Sequence, residues 1–195
     1  MTDIRVETLR GEAVHAHLDA LARLRIAVFR DWPYLYDGDL AYERDYARAY
    51  TAPGAVVVGA FDGDGMVGAA TASRMEDHAG DLSAAFAGHE WSMPEIYYLA
   101  ESVLLPDYRG AGLGHAFFDA REAAGRAEGR RYAAFCAVMR AAEHPARPEG
   151  ARTHDAFWRA RGYAPLDDVV AHFAWTDVGD TEATRKPLQF WGKTL

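Results

Sequence analysis

The sequence predicts an α/β fold, and three observations carry the prediction. Strand-like and helix-like hydrophobic patterns follow one another in the order β-α-α-β-β-insert-β-α-β-α-β. An apolar run over 96–105 leads through a glycine-rich turn into an amphipathic helix, together the stretch Tyr97 to Arg126. Half of the 195 residues are hydrophobic, enough for a sizeable core, and the length suits one domain. That domain is taken as 1–195, with about 177–195 as a C-terminal extension.

Taken in order, residues 3–8 alternate as a strand with Ile4 and Val6 on one face. From about Glu12 to Arg30 the period turns helical, with Leu21, Leu24 and Val28 on one side, until Trp32-Pro33 stops it. An aromatic and acidic loop, Tyr34 to Asp39, enters a short helix over about Leu40 to Tyr50. Two strands, 55–61 and 66–73, flank Asp62-Gly63-Asp64-Gly65, which reads as a hairpin turn. A calcium loop would need a third ligand before the glycine and a closing glutamate, and both are missing. Residues 75–95 form a polar, partly helical insert too long for an ordinary hairpin loop. After the central strand and helix come a strand over Arg131–Met139, a loop rich in proline and charge, and a helix over Thr153–Arg161 closed by Gly162. A late strand follows at Val169–Trp175, and the tail carries Phe190 and Trp191, which want a surface to cover.

The turn Arg109-Gly110-Ala111-Gly112-Leu113-Gly114 holds glycines at alternate positions, which open backbone conformations closed to other residues and let a ligand approach closely. The first amides of a helix have no internal partner and carry the positive end of its dipole, so the turn suits a phosphate, with Arg109 beside it. It is no Walker loop, because no Lys-Ser/Thr follows, and its G-x-G-x-G spacing is not the dinucleotide fingerprint G-x-G-x-x-G.

The run Val103 to Gly114, VLLPDYRGAGLG, resembles motif A of the GNAT superfamily of acyl-CoA-dependent N-acyltransferases, whose pattern Gln/Arg-x-x-Gly-x-Gly/Ala is met by Arg109, Gly112 and Gly114. Phe157 to Tyr163 resembles the motif B helix. The resemblance extends over about residues 1–176. It implies a mixed, strongly twisted sheet flanked by helices, with the fourth and fifth strands splayed in a V that admits acyl-CoA. It also implies that Arg109, Gly110, Ala111, Gly112, Leu113 and Gly114 hold the pyrophosphate, and that the backbone of Val103, Leu104 and Leu105 runs beside the pantetheine and supplies an oxyanion donor. Tyr34, Tyr36 and Asp37, with Asp39, become candidates for holding the acceptor amine. The co-substrate expected is acetyl-CoA, and the acceptor a small-molecule or protein amine.

Acyl transfer to an amine needs a base, because a lysine-type amine has a pKa of about 10.4. Glu101 is a carboxylate inside an apolar strand, where lost hydration raises basicity, and the family often keeps an acidic residue near this position. The competing reading pairs Glu101 structurally with an arginine such as Arg74 or Arg140. The leaving thiolate is commonly served by the tyrosine of motif B, but this chain has Trp158 there, after Phe157, and neither ring delivers a proton at neutral pH. Ser102, His144, His154, Cys136 or water are the substitutes. A non-catalytic acyl-CoA-binding module is the alternative to an enzyme.

Composition narrows the partners further. A net charge of −8 argues against nucleic acid and suits a cationic substrate. No run is long and apolar enough to span a membrane, and the single cysteine fits a reducing cytoplasm. Cys136 reads as a core filler, and Cys136, His144 and His154 lack metal-ligand spacing, so no metal is expected. A homodimer would suit the aromatic tail.

Overall fold

The computed structural model describes residues 4–195, so Asp3 of the first predicted strand lies outside the described residues. The elements are β1 (Arg5–Leu9), α1 (Glu12–His15), α2 (Leu18–Phe29), α3 (Leu40–Ala47), β2 (Val56–Asp62), β3 (Gly65–Arg74), α4 (Ala79–Leu82), β4 (Ile96–Leu104), α5 (Leu113–Ala127), β5 (Tyr132–Val138), α6 (Asp155–Ala160), β6 (Ala164–Thr176) and β7 (Ala183–Thr194). One seven-stranded sheet runs in the order β1-β2-β3-β4-β5-β7-β6. Only β4 and β5 pair in parallel; the other neighbours are antiparallel.

Local chemistry explains the boundaries. The first predicted helix is broken at Ala16-His17, where His17 leaves helical geometry, and α2 restarts behind it. Asp39 caps α3 by accepting from the Tyr42 amide at 2.9 Å. Asp62 pairs with Gly65 across a two-residue turn with Gly63 at φ 57°, which is the hairpin and not an ion loop.

Helices cover both faces of the sheet. On one face Val14, Leu21 and Leu24 pack against Val57, Ala69 and Val103. On the other, Leu113 and Phe117 of α5 pack against Val58, Ala60 and Ala70. The insert over 75–95 seals the first face farther along, burying Met75, Leu82 and Phe86 among Ile96, Tyr98 and Phe190. Trp91 stacks on Tyr132 at 3.9 Å.

Two findings position the site. First, β4 and β5 pair only over Ile96↔Tyr132, Tyr97↔Ala133 and Tyr98↔Ala134. Beyond that point β4 stays with β3 and β5 with β7, so the two strands part in the expected splay. Second, the tail is not an extension appended to the domain. It is β7, inserted between β5 and β6, with Phe190 fully buried and Trp191 nearly so. Pro187 and Gly192 interrupt the strand pattern in the sequence and so mask this strand. Pro187 lies opposite His172 of β6, and Gly192 has no room for a Cβ because the Trp91 ring would lie 2.5 Å away.

Candidate active site

At the entry to α5, Gly110 and Gly112 both sit at φ 82°, a conformation L side chains rarely adopt. Gly112 is the N-cap and Gly114 lies within the first turn. None of the amides of Gly110, Ala111, Gly112, Leu113 and Gly114 donates to an acceptor among the described residues. Five free N–H groups at the positive end of a 15-residue helix form an anion cradle. Nothing lies within 4 Å of where a Cβ would stand at Gly110 or Gly112, so the space above the loop is open. Arg109 reaches back to donate from Nε to the Leu104 carbonyl at 3.2 Å, leaving its outer nitrogens uncommitted among the described contacts.

The β4 backbone beside the splay is unevenly engaged. The Leu105 amide donates to the Val67 carbonyl at 3.0 Å, so Leu105 and, by strand alternation, Val103 turn toward β3. Leu104 and Ser102 then present their backbone groups to the open edge. Of the three residues expected beside the pantetheine, Leu104 faces the gap.

Glu101 is buried on the α2–α3 face, and its carboxylate meets Arg25 of α2, not Arg74 or Arg140. Those two arginines pair with Glu128 and Asp177. Arg25 also binds Glu43 of α3, whose side chain is fully buried. Two carboxylates therefore share one guanidinium. Burial pulls the Arg25 pKa down, but Tyr46 and Glu43 outweigh it, and the net shift is upward. Oε1 of Glu101 and Oε1 of Glu43 are buried without a hydrogen-bond partner.

Ser102 points to the opposite face, where its Oγ accepts from Arg121 Nη2 at 2.9 Å. Cys136 is 7% exposed and lies 3.5 Å from the Tyr98 hydroxyl; burial pushes its thiol up to about 11. That is a core cysteine, held in its thiol form. Trp158 packs on Phe135 and Trp191, with ring centroids 4.9 and 5.1 Å away, and His154 lies 5.8 Å off. Burial, and then the charge of Arg109, lower the His154 pKa.

The residues expected at the acceptor side, Tyr34, Tyr36 and Asp37, lie on the loop between α2 and α3. The Tyr34 ring sits 4.6 Å from Phe29 and 6.0 Å from Trp175, and burial raises its hydroxyl pKa. Tyr36 bridges to Asp177, and burial and the Glu43 carboxylate push its hydroxyl pKa up. Asp37 is exposed and pairs with Arg30 at 2.8 Å. Next to them opens a cavity of about 530 Å³ lined by Arg30, Asp31, Leu35, His144, Asp177 and Asp180. The His144 ring lies tilted against Trp32, with centroids 5.3 Å apart. Arg140 holds this loop, donating to the Pro33 carbonyl at 2.8 Å and the Tyr34 carbonyl at 2.6 Å, while pairing twice with Asp177 at 2.7 and 3.0 Å.

The family model of the GNAT acetyltransferases matches residues 20–149. The chain belongs to the GNAT acetyltransferase family. Its fold is shared widely among solved GNAT proteins at low identity. An aminoglycoside 6'-N-acetyltransferase complexed with coenzyme A is 15% identical with TM-score 0.62, covering 97% of this chain and 96% of that one. The protein yncA of Salmonella typhimurium, solved with acetyl-CoA, is 13% identical with TM-score 0.61, over 99% and 94%. A ribosomal-protein-alanine N-acetyltransferase of Brucella melitensis is 16% identical with TM-score 0.61, over 99% of each chain. No curated protein matches the sequence. Among the described residues no His, Cys, Asp and Glu group could hold a metal, and no helix is long and apolar enough to cross a membrane.

Four residues that shape this site were not singled out from the sequence: Arg25, Glu43, Arg121 and Asp177. Two of them left a signal. Arg25 stands four residues after Leu21, and Arg121 four after Phe117, so each interrupts the apolar stripe of its helix. The same kind of interruption marks Glu101 in its strand.

Proposed function

We propose that this protein transfers an acetyl group from acetyl-CoA to an amine by direct attack within a ternary complex. The observation that carries the reading is the row of five free amides at the α5 entry, beside a splay whose β4 edge is open. The amides of Gly110 to Gly114 and the Arg109 guanidinium hold the pyrophosphate. Leu104 and Ser102 offer backbone groups to the pantetheine and to the carbonyl oxygen as it becomes an oxyanion. Acetyl-CoA supplies the activated thioester; the protein supplies position and the handling of protons.

Glu101 is the general base in this reading. Arg25 divides its charge between two carboxylates, so Glu101 is only partly neutralised, and one of its oxygens is uncommitted. It takes the ammonium proton and frees the lone pair for attack. Tyr34, Tyr36 and Asp37 receive the acceptor in this reading; their loop also contributes Leu35 to a cavity whose Asp31, Asp177 and Asp180 suit a cationic amine. The thiolate leaves on the α5 face, where Ser102 offers a hydroxyl in place of the tyrosine that Trp158 replaces.

The test is release of the CoA thiol from acetyl-CoA in the presence of aminoglycosides, polyamines, amino acids and peptides with free N-termini. Release that depends on one class of amine, with the acetylated amine seen by mass spectrometry, is the expected result. Tight acetyl-CoA binding without turnover on any amine would favour the second reading, an acyl-CoA-binding module, which the replacement of the motif B tyrosine by Trp158 keeps in play.

A further inference from the structure

Opposite β3, β4 carries one extra residue: Thr71 pairs with Glu101, but Ser73 pairs with Tyr98. Such a bulge reverses the alternation of side chains beyond it. With unbroken alternation Glu101 would share a face with Tyr97 and Leu99, which pack under α5 with Phe118 and Ala124. Instead Glu101 reaches Arg25 on the α2–α3 face, and Ser102 takes the face toward α5.

Arg121 of α5 lies against the bulge. It is 1% exposed. Its Nη1 donates to the Glu101 carbonyl at 3.0 Å and the Thr71 carbonyl at 3.3 Å. Its Nη2 donates to Ser102 Oγ at 2.9 Å, and its Nε to the Phe117 carbonyl at 3.1 Å. No carboxylate among the described residues lies within ion-pair distance of it, and burial pulls its pKa down to about 10. A buried cation without a counter-ion is a costly way to fill space. Here its donors meet the carbonyls of Thr71 and Glu101, the registered pair that borders the bulge.

We propose that Arg121 is a positioning residue for acyl transfer, whose guanidinium holds the β4 bulge and so sets Glu101 on the acceptor face and Ser102 on the α5 face. The inference rests on the reading of Glu101 as the base. Arg121 touches neither substrate. It acts by fixing the strand register that aims both side chains.

The experiment compares Arg121→Lys, Glu101→Gln and the double variant of the full chain, in kcat across pH, in calorimetric acetyl-CoA affinity and in amide hydrogen exchange at Ala100 to Ser102. Lysine keeps the charge but lacks the forked donors, so misplacement of the base should lower kcat by about 100-fold. Acetyl-CoA affinity should stay within about threefold, because the α5 cradle is a separate set of groups. Exchange at the bulge should quicken. In the Glu101→Gln background the same change should cost clearly less, about tenfold at most, since one of the two side chains it aims is gone. Parental kcat in Arg121→Lys, an equal loss in both backgrounds, or unchanged exchange at the bulge would each overturn the proposal. A parental pH profile in Glu101→Gln alone would instead defeat the base assignment on which it rests. If Arg121→Lys melts below the assay temperature, Arg121→Gln, which also lacks the forked cation, is read by the same criteria.

Discussion

At the entry to α5 the groups proposed to hold the pyrophosphate are neighbours in sequence: Arg109, two glycines at φ 82°, and five amides without acceptors among the described residues. Across the sheet, the loop proposed to receive the acceptor is held by Arg140, which reaches carbonyls at Pro33 and Tyr34 from 107 and 106 residues away. One side is made of backbone conformation and the other of long-range side-chain pairs. The backbone side can be changed only by altering a φ angle. The side-chain side can be altered one contact at a time, so the same cradle can serve mouths of different shape. The pairs differ in weight too. Arg30–Asp37 is half exposed at both ends and contributes little to holding the loop. Arg140–Asp177, 8% and 12% exposed, is the pair that fixes it.

The largest effect that sharpens this contrast lies between the two sides, at Glu101. Glu101→Gln should lower kcat by about 100-fold at pH values below the pKa of the acceptor amine, and by less as the amine comes to deprotonate itself. A pH–rate profile measured with a single amine reads this directly, and a profile matching the parent's would remove Glu101 from the chemistry.

Arg140→Ala comes next. Removing one partner of a buried pair costs about 3–5 kcal/mol, which for a chain of this length is roughly 6–15 °C in melting temperature. Loss of the anchor for Pro33 and Tyr34 should raise KM for the amine about tenfold, with acetyl-CoA affinity unchanged. The clamp is also sensitive to acid. Burial acts to raise the Asp177 pKa, but hydrogen bonds and charge from Arg140 and Lys186 outweigh it, and the net shift is downward. Its stabilisation is therefore complete above the ordinary carboxylate pKa of about 4 and is lost as pH falls through the lowered folded value. In Arg140→Ala this acid-dependent part of the melting temperature should shrink.

The smallest effect belongs to Cys136. Buried, with its thiol pushed up to about 11, it should resist alkylation by iodoacetamide at pH 8 in the folded protein, and Cys136→Ser should keep near-parental kcat. Rapid labelling with loss of activity would contradict the reading of Cys136 as a core filler.

The sequence was legible where physics is local. Alternation and the glycine turn located β4 and α5, and the alternate glycines marked the loop whose amides find no acceptor among the described residues. It was less legible where tertiary contacts decide. Pro187 and Gly192 hid β7, because the breakers are tolerated only through their neighbours in the finished sheet. The burial of Glu101 followed from its apolar strand, but its partner did not: Arg25 lies on another element, and the β4 bulge that turns Glu101 toward it leaves no mark in the alternation. The Arg140 clamp was hidden for the same reason, since nothing around Arg140 in the sequence announces contact with Pro33, 107 residues away.

The most direct measurement is calorimetric binding of acetyl-CoA to the parent, to Gly112→Val and to Arg140→Ala. A β-branched residue at φ 82° cannot keep the N-cap of α5, so Gly112→Val should lose acetyl-CoA binding by at least about 100-fold, while Arg140→Ala should bind like the parent. Parental affinity in Gly112→Val, or equal losses in both variants, would contradict a cradle built from local backbone and independent of the acceptor mouth.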